Sequence, residues 1–215
     1  MQLWMTDCTP LLEESCLSES LPRLDISRRL TVSRTPAGLP RAQTAAAGLL
    51  LTHLFGENGQ PPSIAHGAHG KPYLPDGQAH FSLSHTGKYV FCAVAGAPVG
   101  LDAQTVGKNR PRVTARCFTP PEQVWLAADP DARFSRLWAL KEAYLKYTGF
   151  GLVLPMSSFT VPLPAEGYDP GTDCHWREMS AHGVRLALCS REPIPEITIQ
   201  PTDILALLGA FEEEI

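Results

Sequence analysis

The sequence predicts an α+β protein with one long central helix and strands in both halves of the chain. Residues 136–149 favour the helix, because they are good helix formers without an internal Gly or Pro, and Gly149 would end it. Residues 89–95 are almost wholly apolar, as expected of a buried strand, and 99–103 return as a second strand after a Gly-Ala-Pro turn. Beyond residue 151, short apolar segments alternate with turn residues, which predicts further strands.

Composition limits the classes of protein that this chain can represent. Its 215 residues, 44% of them hydrophobic, suffice for one sizeable core or for two half-size lobes. The net charge of −4 gives a nucleic-acid partner no electrostatic support. The six cysteines form no CxxC pair, and neither a signal peptide nor a membrane-spanning run is visible, so we expect a reduced, cytoplasmic protein without a membrane partner.

Further elements are predicted from apolar patterns and helix-capping residues. Residues 21–41 are basic, and Arg41 would stand at the start of an apolar helix. The N-terminal end of a helix dipole is positive and disfavours a cation, so a nearby anion would help to account for Arg41 there. Thr119 would be the N-cap of another helix, with Glu122 three residues later. The other predictions are an edge strand at 3–5, a helix at 42–55, a crossover at 107–116, strands at 159–163, 175–179, 184–190 and 197–200, a helix at 203–211 capped by Thr202, and a solvated tail at 212–214.

Two acidic residues could belong to a functional site. Trp138, Glu142 and Lys146 recur every four positions and therefore share one face of the central helix, although a solvated Glu–Lys pair would show the same spacing. Asp102 stands between Leu and Ala at the end of a strand, where a turn-forming role is the alternative. A buried carboxylate must be paired, hydrogen-bonded or bound to a metal.

An ordered series of motifs resembles a known family. Residues 70–72 (GKP), 81–87 (FSLSHTG), 99–102 (VGLD), 118–122 (FTPPE) and 138–146 (WALKEAYLK) occur in the order found in 4′-phosphopantetheinyl transferases of the longer class, which resembles the surfactin-synthetase activator. The Asp strand followed by WxxKEAxxK is the most specific part. This resemblance implies a pseudo-two-fold pair of similar α/β lobes, residues 1–105 and 106–215, with the active site in the cleft between them.

The resemblance also implies an activity and a set of site residues. The family transfers the phosphopantetheine arm of coenzyme A to a serine of an acyl or peptidyl carrier protein and releases adenosine 3′,5′-bisphosphate. Glu142, or a water held by the ion, would take the proton of the serine, and Lys146 would steady the phosphoryl group. The 3′-phosphate and diphosphate would be held by Lys71, Ser84, His85, Arg41 and Arg28, and Mg²⁺, or Mn²⁺ as an alternative, by Asp102 and Glu142.

One position departs from the pattern of the family. The Asp102 strand usually continues Asp-x-Glu, and here the second residue is Gln104. An amide oxygen binds Mg²⁺ more weakly than a carboxylate and brings no charge. We therefore expect a modest affinity for Mg²⁺, with a water at the ligand position that Gln104 does not fill.

Two other functions remain open from the sequence. A CoA-dependent acyltransferase with His85 as its base would need neither Asp102 nor Glu142, and a non-catalytic CoA- or nucleotide-binding module would leave any carrier unmodified. The sequence does not identify the carrier protein or its pathway. For docking of an acidic carrier, the exposed candidates are Arg110, Arg112 and Arg116. Because both halves of a cleft fit in one chain, an active monomer is expected.

Overall fold

The computed structural model describes residues 1–164 and 171–210, which form a mixed α+β structure. The described strands are β1 (Gln2–Asp7), β2 (Ala65–His66), β3 (Pro72–Tyr73), β4 (His80–Thr86), β5 (Tyr89–Ala95), β6 (Val99–Thr105), β7 (His175–Ala181), β8 (Val184–Ser190) and β9 (Ile199–Thr202). The described helices are α1 (Glu14–Ser20), α2 (Ile26–Arg34), α3 (Leu39–Phe55), α4 (Pro111–Cys117), α5 (Pro120–Ala127), α6 (Pro130–Thr148) and α7 (Ile204–Ala210). None of these helices is both long and apolar enough to cross a membrane.

The larger sheet has the strand order β4-β5-β1-β9 and is covered by α3. Strand β1 is antiparallel to β5 and parallel to β9. The prediction of an edge strand at residues 3–5 is therefore wrong, because β9 returns from the far end of the chain to pair with β1. Leu3 and Met5 are buried in the core on the side facing the second sheet.

The second sheet has the order β6-β8-β7 and carries α6 on its outer face. Alternate side chains of β8 serve different cores: Leu186 and Leu188 pack toward β1 and β5, whereas Ala187 and Cys189 pack toward α6. The period of two along a strand produces this division. The protein is thus layered in the order α3, larger sheet, second sheet, α6. Asp102 on β6 is paired with Ala187 and therefore lies on the face of the second sheet that α6 covers.

Side-chain hydroxyls, rather than backbone pairing, join the two sheets where β4 meets β6. Ser82, Ser84 and Thr86 occupy alternate positions of β4 and point to the same side. Their hydroxyl oxygens accept the backbone N–H groups of Leu101, Ala103 and Thr105 at 2.9, 3.0 and 3.3 Å. The polar alternation within residues 81–87 therefore satisfies donors of β6 that lack a neighbouring strand on that side.

Gly100 allows α6 to lie directly against β6. A Cβ atom at this position would stand 2.0 Å from the carbonyl oxygen of Ala143 and 2.4 Å from the nitrogen of Tyr147. No larger residue fits there without displacing the helix. The helix ends as expected at Gly149, whose φ of 74° is left-handed.

Several predicted elements differ in the structure. The crossover contains α4, and residues 159–163 form no strand, because Val161 instead gives its N–H to the buried Glu122. Thr202 belongs to β9, and Asp203 accepts the N–H of Leu205 at the start of α7. The sheets also divide the chain differently from a boundary at residue 105: β6 joins the C-terminal strands, and β9 joins the N-terminal sheet. The end of the predicted closing helix and the tail lie outside the described residues.

Candidate active site

A cleft of about 700 Å³ opens between α2, α3 and β4 on one side and β6 and α6 on the other. The elements around it come from both sheets, so the hydroxyl contacts between β4 and β6 hold its floor together. Of the residues proposed from the sequence, Arg41 does not line the cleft. The others do: Arg28, Lys71, Ser84, His85, Asp102, Gln104, Glu142 and Lys146.

Asp102 is the most completely bonded group in the cleft. The residue is 4% exposed, and its Oδ1 accepts hydrogen bonds from Lys146 Nζ at 2.7 Å and from Ser84 Oγ at 3.0 Å. Its Oδ2 accepts a bond from Gln104 Nε2 at 2.7 Å. The alternation of β6 places Gln104 on the same side as Asp102, as the sequence predicts. These partners satisfy a buried carboxylate that would otherwise be costly.

Glu142 differs from Asp102 because its carboxylate has no hydrogen bond to any described residue. Burial raises the pKa of Glu142, the nearby charge of Asp102 raises it further, and Lys146 lowers it. Two neighbouring carboxylates, one of them unpaired, line a cleft and favour a cation between them. Mg²⁺ commonly binds one or two carboxylates and completes its shell with water and phosphate oxygens, so the residues present fit this ion. The pair is not extended by a third such ligand: among the described residues, no group of three or more His, Cys, Asp or Glu side chains could hold a metal, in this cleft or elsewhere.

Lys71 connects the loop before β3 to the central helix. Its ammonium donates to the carbonyl oxygens of Val99 at 3.0 Å and Tyr147 at 3.1 Å. Burial lowers the pKa of Lys71 to about 8, with a small opposing effect from Cys189. The lysine is therefore still charged at neutral pH, and it stabilises the Tyr147 carbonyl at the C-terminal end of α6 and the Val99 carbonyl at the start of β6 while facing the cleft.

Arg28 and His85 supply further donors on the opposite wall. The backbone N–H of Arg28 is bound by Asp25 at the start of α2, and within the described chain its guanidinium makes no side-chain hydrogen bond. Burial lowers the pKa of Arg28, and Asp25 opposes this effect. Burial also lowers the pKa of His85, and the positive charges of Lys146 and Arg28 lower it further. The negative charge of Asp102 has the opposite effect. His85 is therefore neutral at pH 7 and can donate one N–H without adding charge.

Arg41 lies away from the cleft because α3 begins three residues earlier than predicted. The side chain falls in the first turn and its Nε donates to the carbonyl oxygen of Thr35 at 3.0 Å. This bond fixes the segment between α2 and α3. The neighbouring Gln43, not considered from the sequence, lines the cleft and donates to the carbonyl oxygen of Gly87 at 2.6 Å.

A fully buried ion pair behind the cleft was not foreseen from the sequence. Lys141 Nζ lies 2.8 Å from Glu122 Oε2, and both side chains are 0% exposed. Lys141 also donates to the carbonyl oxygens of Met156 and Phe159, while Glu122 accepts the N–H of Thr119 at 2.8 Å. Lys141 stands four residues after Leu137 and therefore on the apolar stripe of the helix, and this spacing is the sequence signal that could have predicted its burial.

Known proteins are similar in sequence to the segment that carries these residues. Residues 98–189, from β6 to β8, match the 4′-phosphopantetheinyl transferase superfamily. A 4′-phosphopantetheinyl transferase of Bacillus subtilis is 35% identical over 147 residues, covering 62% of this chain and 66% of that protein. The transferase Sfp of Bacillus subtilis strain 168 is 34% identical over 137 residues, covering 58% and 61%. The transferase psf-1 of Bacillus pumilus is 27% identical over 212 residues, covering 90% and 91%.

The region that carries Asp102, Glu142 and Lys146 therefore matches the 4′-phosphopantetheinyl transferase superfamily. The similarity to Sfp and psf-1 confirms the resemblance to the longer, Sfp-like class. The alignments span just under two thirds of the length of the first two relatives.

Proposed function

We propose that this protein transfers the 4′-phosphopantetheine arm of coenzyme A to a serine of an acyl or peptidyl carrier protein and releases adenosine 3′,5′-bisphosphate. The observation that carries the proposal is the convergence of Asp102, Glu142 and Lys146 in one cleft. Each comes from an element that the superfamily match includes. The names of the relatives support the same reaction. We also propose that the two sheets and their helices are pseudo-two-fold related lobes and that the active form is a monomer.

The substrate end that bears phosphate would be bound by the donors of the cleft. Arg28 and Lys71 provide charge on opposite walls, and His85 provides a neutral donor between them. The Ser84 hydroxyl would join them by turning its single O–H from Asp102 to a phosphate oxygen. Lys146, which pairs with Asp102, is close enough to Ser84 (3.1 Å) to shift toward a phosphoryl oxygen along the same wall. Arg41 is not part of this set, since it is bound to the loop before α3.

Asp102 and Glu142 would hold Mg²⁺ or Mn²⁺, with Gln104 beside them. When bound, the cation neutralises charge on the diphosphate leaving group. Glu142 faces the cleft without a hydrogen-bonded partner among the described residues. Its raised pKa makes the carboxylate a stronger base, which suits a group that accepts the proton of the attacking serine. Positioning and charge neutralisation supply most of the catalysis in phosphoryl transfer.

An acidic carrier would approach the edge of the cleft where β6 leads into α4. Arg110, Arg112 and Arg116 are exposed there, within twelve residues or so of Gln104 along the chain. Exposed arginines attract an acidic partner and accelerate its association more than they strengthen the complex. We propose this surface as a docking region for the carrier.

The test is mass spectrometry of an apo carrier protein incubated with coenzyme A, Mg²⁺ and the full chain. The proposal expects a gain of one phosphopantetheine mass on the carrier serine, absent with Glu142→Ala. Glu192→Ala, which changes an exposed glutamate, is the matched control and should retain transfer. Tight coenzyme A binding without any mass gain would instead indicate a binding module.

A CoA-dependent acyltransferase is the second candidate, because the lowered pKa of His85 suits a neutral base. Such an enzyme would act on an acyl thioester without Mg²⁺. Acyl-CoA turnover that persists in a chelator and is lost in His85→Ala would favour this candidate over the proposed transfer.

A further inference from the structure

A second cavity, of about 290 Å³, lies between α6 and the strands β7 and β8. Its polar lining consists of Arg136, Glu178, Ser180 and Arg185. Ala139, Met179, Leu186 and Ala187 form its apolar walls. None of these residues has a role in the chemistry proposed above.

The two arginines of this cavity have donors that no described residue satisfies. Arg136 donates from Nη2 to Glu178 at 2.5 Å, but its Nη1 is buried without a partner. Arg185 Nε is likewise buried without a partner, and among residues 1–164 and 171–210 its guanidinium forms neither a hydrogen bond nor an ion pair. Buried donors that lack an acceptor are costly, so the two guanidinium groups at this cavity are suited to an acceptor that none of the described residues supplies.

The charge of the cavity and its two guanidinium groups favour a carboxylate. The ring of Trp125 lies 5.0 Å from the guanidinium carbon of Arg136 and holds that group in place. Two guanidinium charges against the single carboxylate of Glu178 leave one net positive charge. A carboxylate carries one negative charge and matches the planar fork of arginine, whereas a phosphate group carries about 1.5 to 2.

The cavity adjoins the candidate active site along the second sheet. Arg185 lies directly opposite Gln104 in the β6–β8 pairing, and Ala187, which lines the cavity, lies opposite Asp102. Directly opposed residues of antiparallel strands are about 4.5–5.5 Å apart, and diagonal neighbours about 7–8 Å. An acidic side chain in the cavity would therefore lie close to a serine that reaches Asp102 and Glu142.

We propose that this two-arginine cavity binds a carboxylate side chain of the protein substrate, close to the serine that is modified. The proposal rests on the transfer reaction for the identity of the partner, but the binding of a carboxylate by the cavity is independent of that reaction. The cavity would then orient the protein substrate and leave coenzyme A binding unaffected.

The first experiment tests the cavity alone, by following the arginine Nε–Hε resonances of the full chain during titration with acetate or inorganic phosphate. The resonance assigned to Arg185 should shift with acetate, with an apparent affinity in the millimolar range, and more strongly than with phosphate. Assignment uses Arg185→Gln, from which the resonance is missing. Arg191→Gln, at the opposite end of β8, should leave the titration unchanged. The absence of a shift, or a stronger response to phosphate, overturns the carboxylate site.

The second experiment identifies the partner by measuring KM for both substrates. Arg185→Gln should raise the KM for the apo carrier by about tenfold, because one charged hydrogen-bonding partner is lost, with kcat and the KM for coenzyme A unchanged. Arg191→Gln carries the same change in charge and should match the wild type. An unchanged carrier KM, or an increase in the KM for coenzyme A, refutes the role in the protein substrate. A wild-type protein that modifies no carrier refutes the transfer reaction itself, and the acetate titration then decides the cavity separately.

Discussion

Gln104 limits what its neighbour Asp102 can bind. The amide donates to Asp102 Oδ2 at 2.7 Å and so competes for a carboxylate oxygen without adding negative charge. Gln104→Glu supplies a third carboxylate, and we expect the Mg²⁺ concentration for half-maximal transfer to fall roughly threefold to tenfold. Gln104→Met, which has no oxygen, should not lower it. An unchanged Mg²⁺ requirement in Gln104→Glu would show that this position does not face the ion.

Lys71 should make stability depend on pH in the alkaline range. Burial lowers the pKa of Lys71 to about 8, below the ordinary 10.5 of an unfolded chain. Between these values the unfolded chain holds a proton that the folded chain has released, so this residue makes the free energy of unfolding rise with pH. Below about 8 both states are protonated and the contribution is constant.

The difference between wild type and Lys71→Met isolates this effect from other groups that titrate in the same range. Urea unfolding from pH 7 to 10.5 should show the wild type gaining stability relative to Lys71→Met above about pH 8. A constant difference across the range would contradict the lowered pKa. At neutral pH the variant leaves two carbonyl oxygens, those of Val99 and Tyr147, without their donor, at a cost of about 1–3 kcal/mol.

At the scale of elements, the contact of α6 with β6 depends on one missing side chain. Because a Cβ at Gly100 would overlap the backbone of α6, Gly100→Ala must separate the helix from the strand that carries Asp102. We expect a loss of at least about 3 kcal/mol in stability and the loss of transfer activity. Gly96→Ala, where a Cβ meets no atom within 4 Å, should change stability by less than about 0.5 kcal/mol. Equal unfolding midpoints for the two variants would contradict this packing.

The buried Glu122–Lys141 pair joins α5, α6 and the segment after α6. Lys141→Met should cost about 3–5 kcal/mol, because it leaves the carboxylate of Glu122 buried without its cation. The double variant Glu122→Gln with Lys141→Met removes both charges and should recover part of that loss. A double-mutant cycle by urea unfolding measures the coupling, and strict additivity would contradict the pair.

The exposed ion pair of Lys88 and Asp7 provides a control with nearly the same distance between nitrogen and oxygen. Its atoms are 2.7 Å apart, against 2.8 Å for the buried pair, but its side chains are 50% and 36% exposed. Lys88→Met should therefore change stability little, since water and salt screen the interaction. The contrast between the two lysines tests burial rather than distance.

At the scale of the whole molecule, local sequence patterns predicted more of the site than of the topology. Strands β5 and β6 and the stop of α6 at Gly149 follow from runs and capping residues a few positions apart. The bonds from the β4 hydroxyls to β6 and the pairing of Lys141 with Glu122 depend on which elements become neighbours, and nothing local in the sequence specifies that. The pairing of β9 with β1 joins residues almost two hundred positions apart. The prediction for Arg41 is wrong because a three-residue change in the start of α3 redirects its side chain.

The shared cores predict a single cooperative unfolding transition. The core between the sheets contains Leu3 and Phe91 of one sheet with Leu101 and Leu188 of the other, so neither sheet can open without exposing apolar surface of both. Helix α7, at the end of the described residues, belongs to the core of the first layer, since Leu207 is buried against the helices there.

Leu207→Ala, far from the cleft, should therefore cost about 2–4 kcal/mol and move the unfolding of the entire described structure, not of the N-terminal sheet alone. Two single-tryptophan proteins report separate regions: one retains Trp4 on β1, and the other retains Trp138 on α6. In each, Leu207→Ala should lower the urea midpoint by the same amount, and the fluorescence transition should coincide with that of circular dichroism. A shift seen by Trp4 but not by Trp138 would mean that the two sheets unfold independently, and the cleft between them would then lack the rigidity that positioning a phosphoryl group requires.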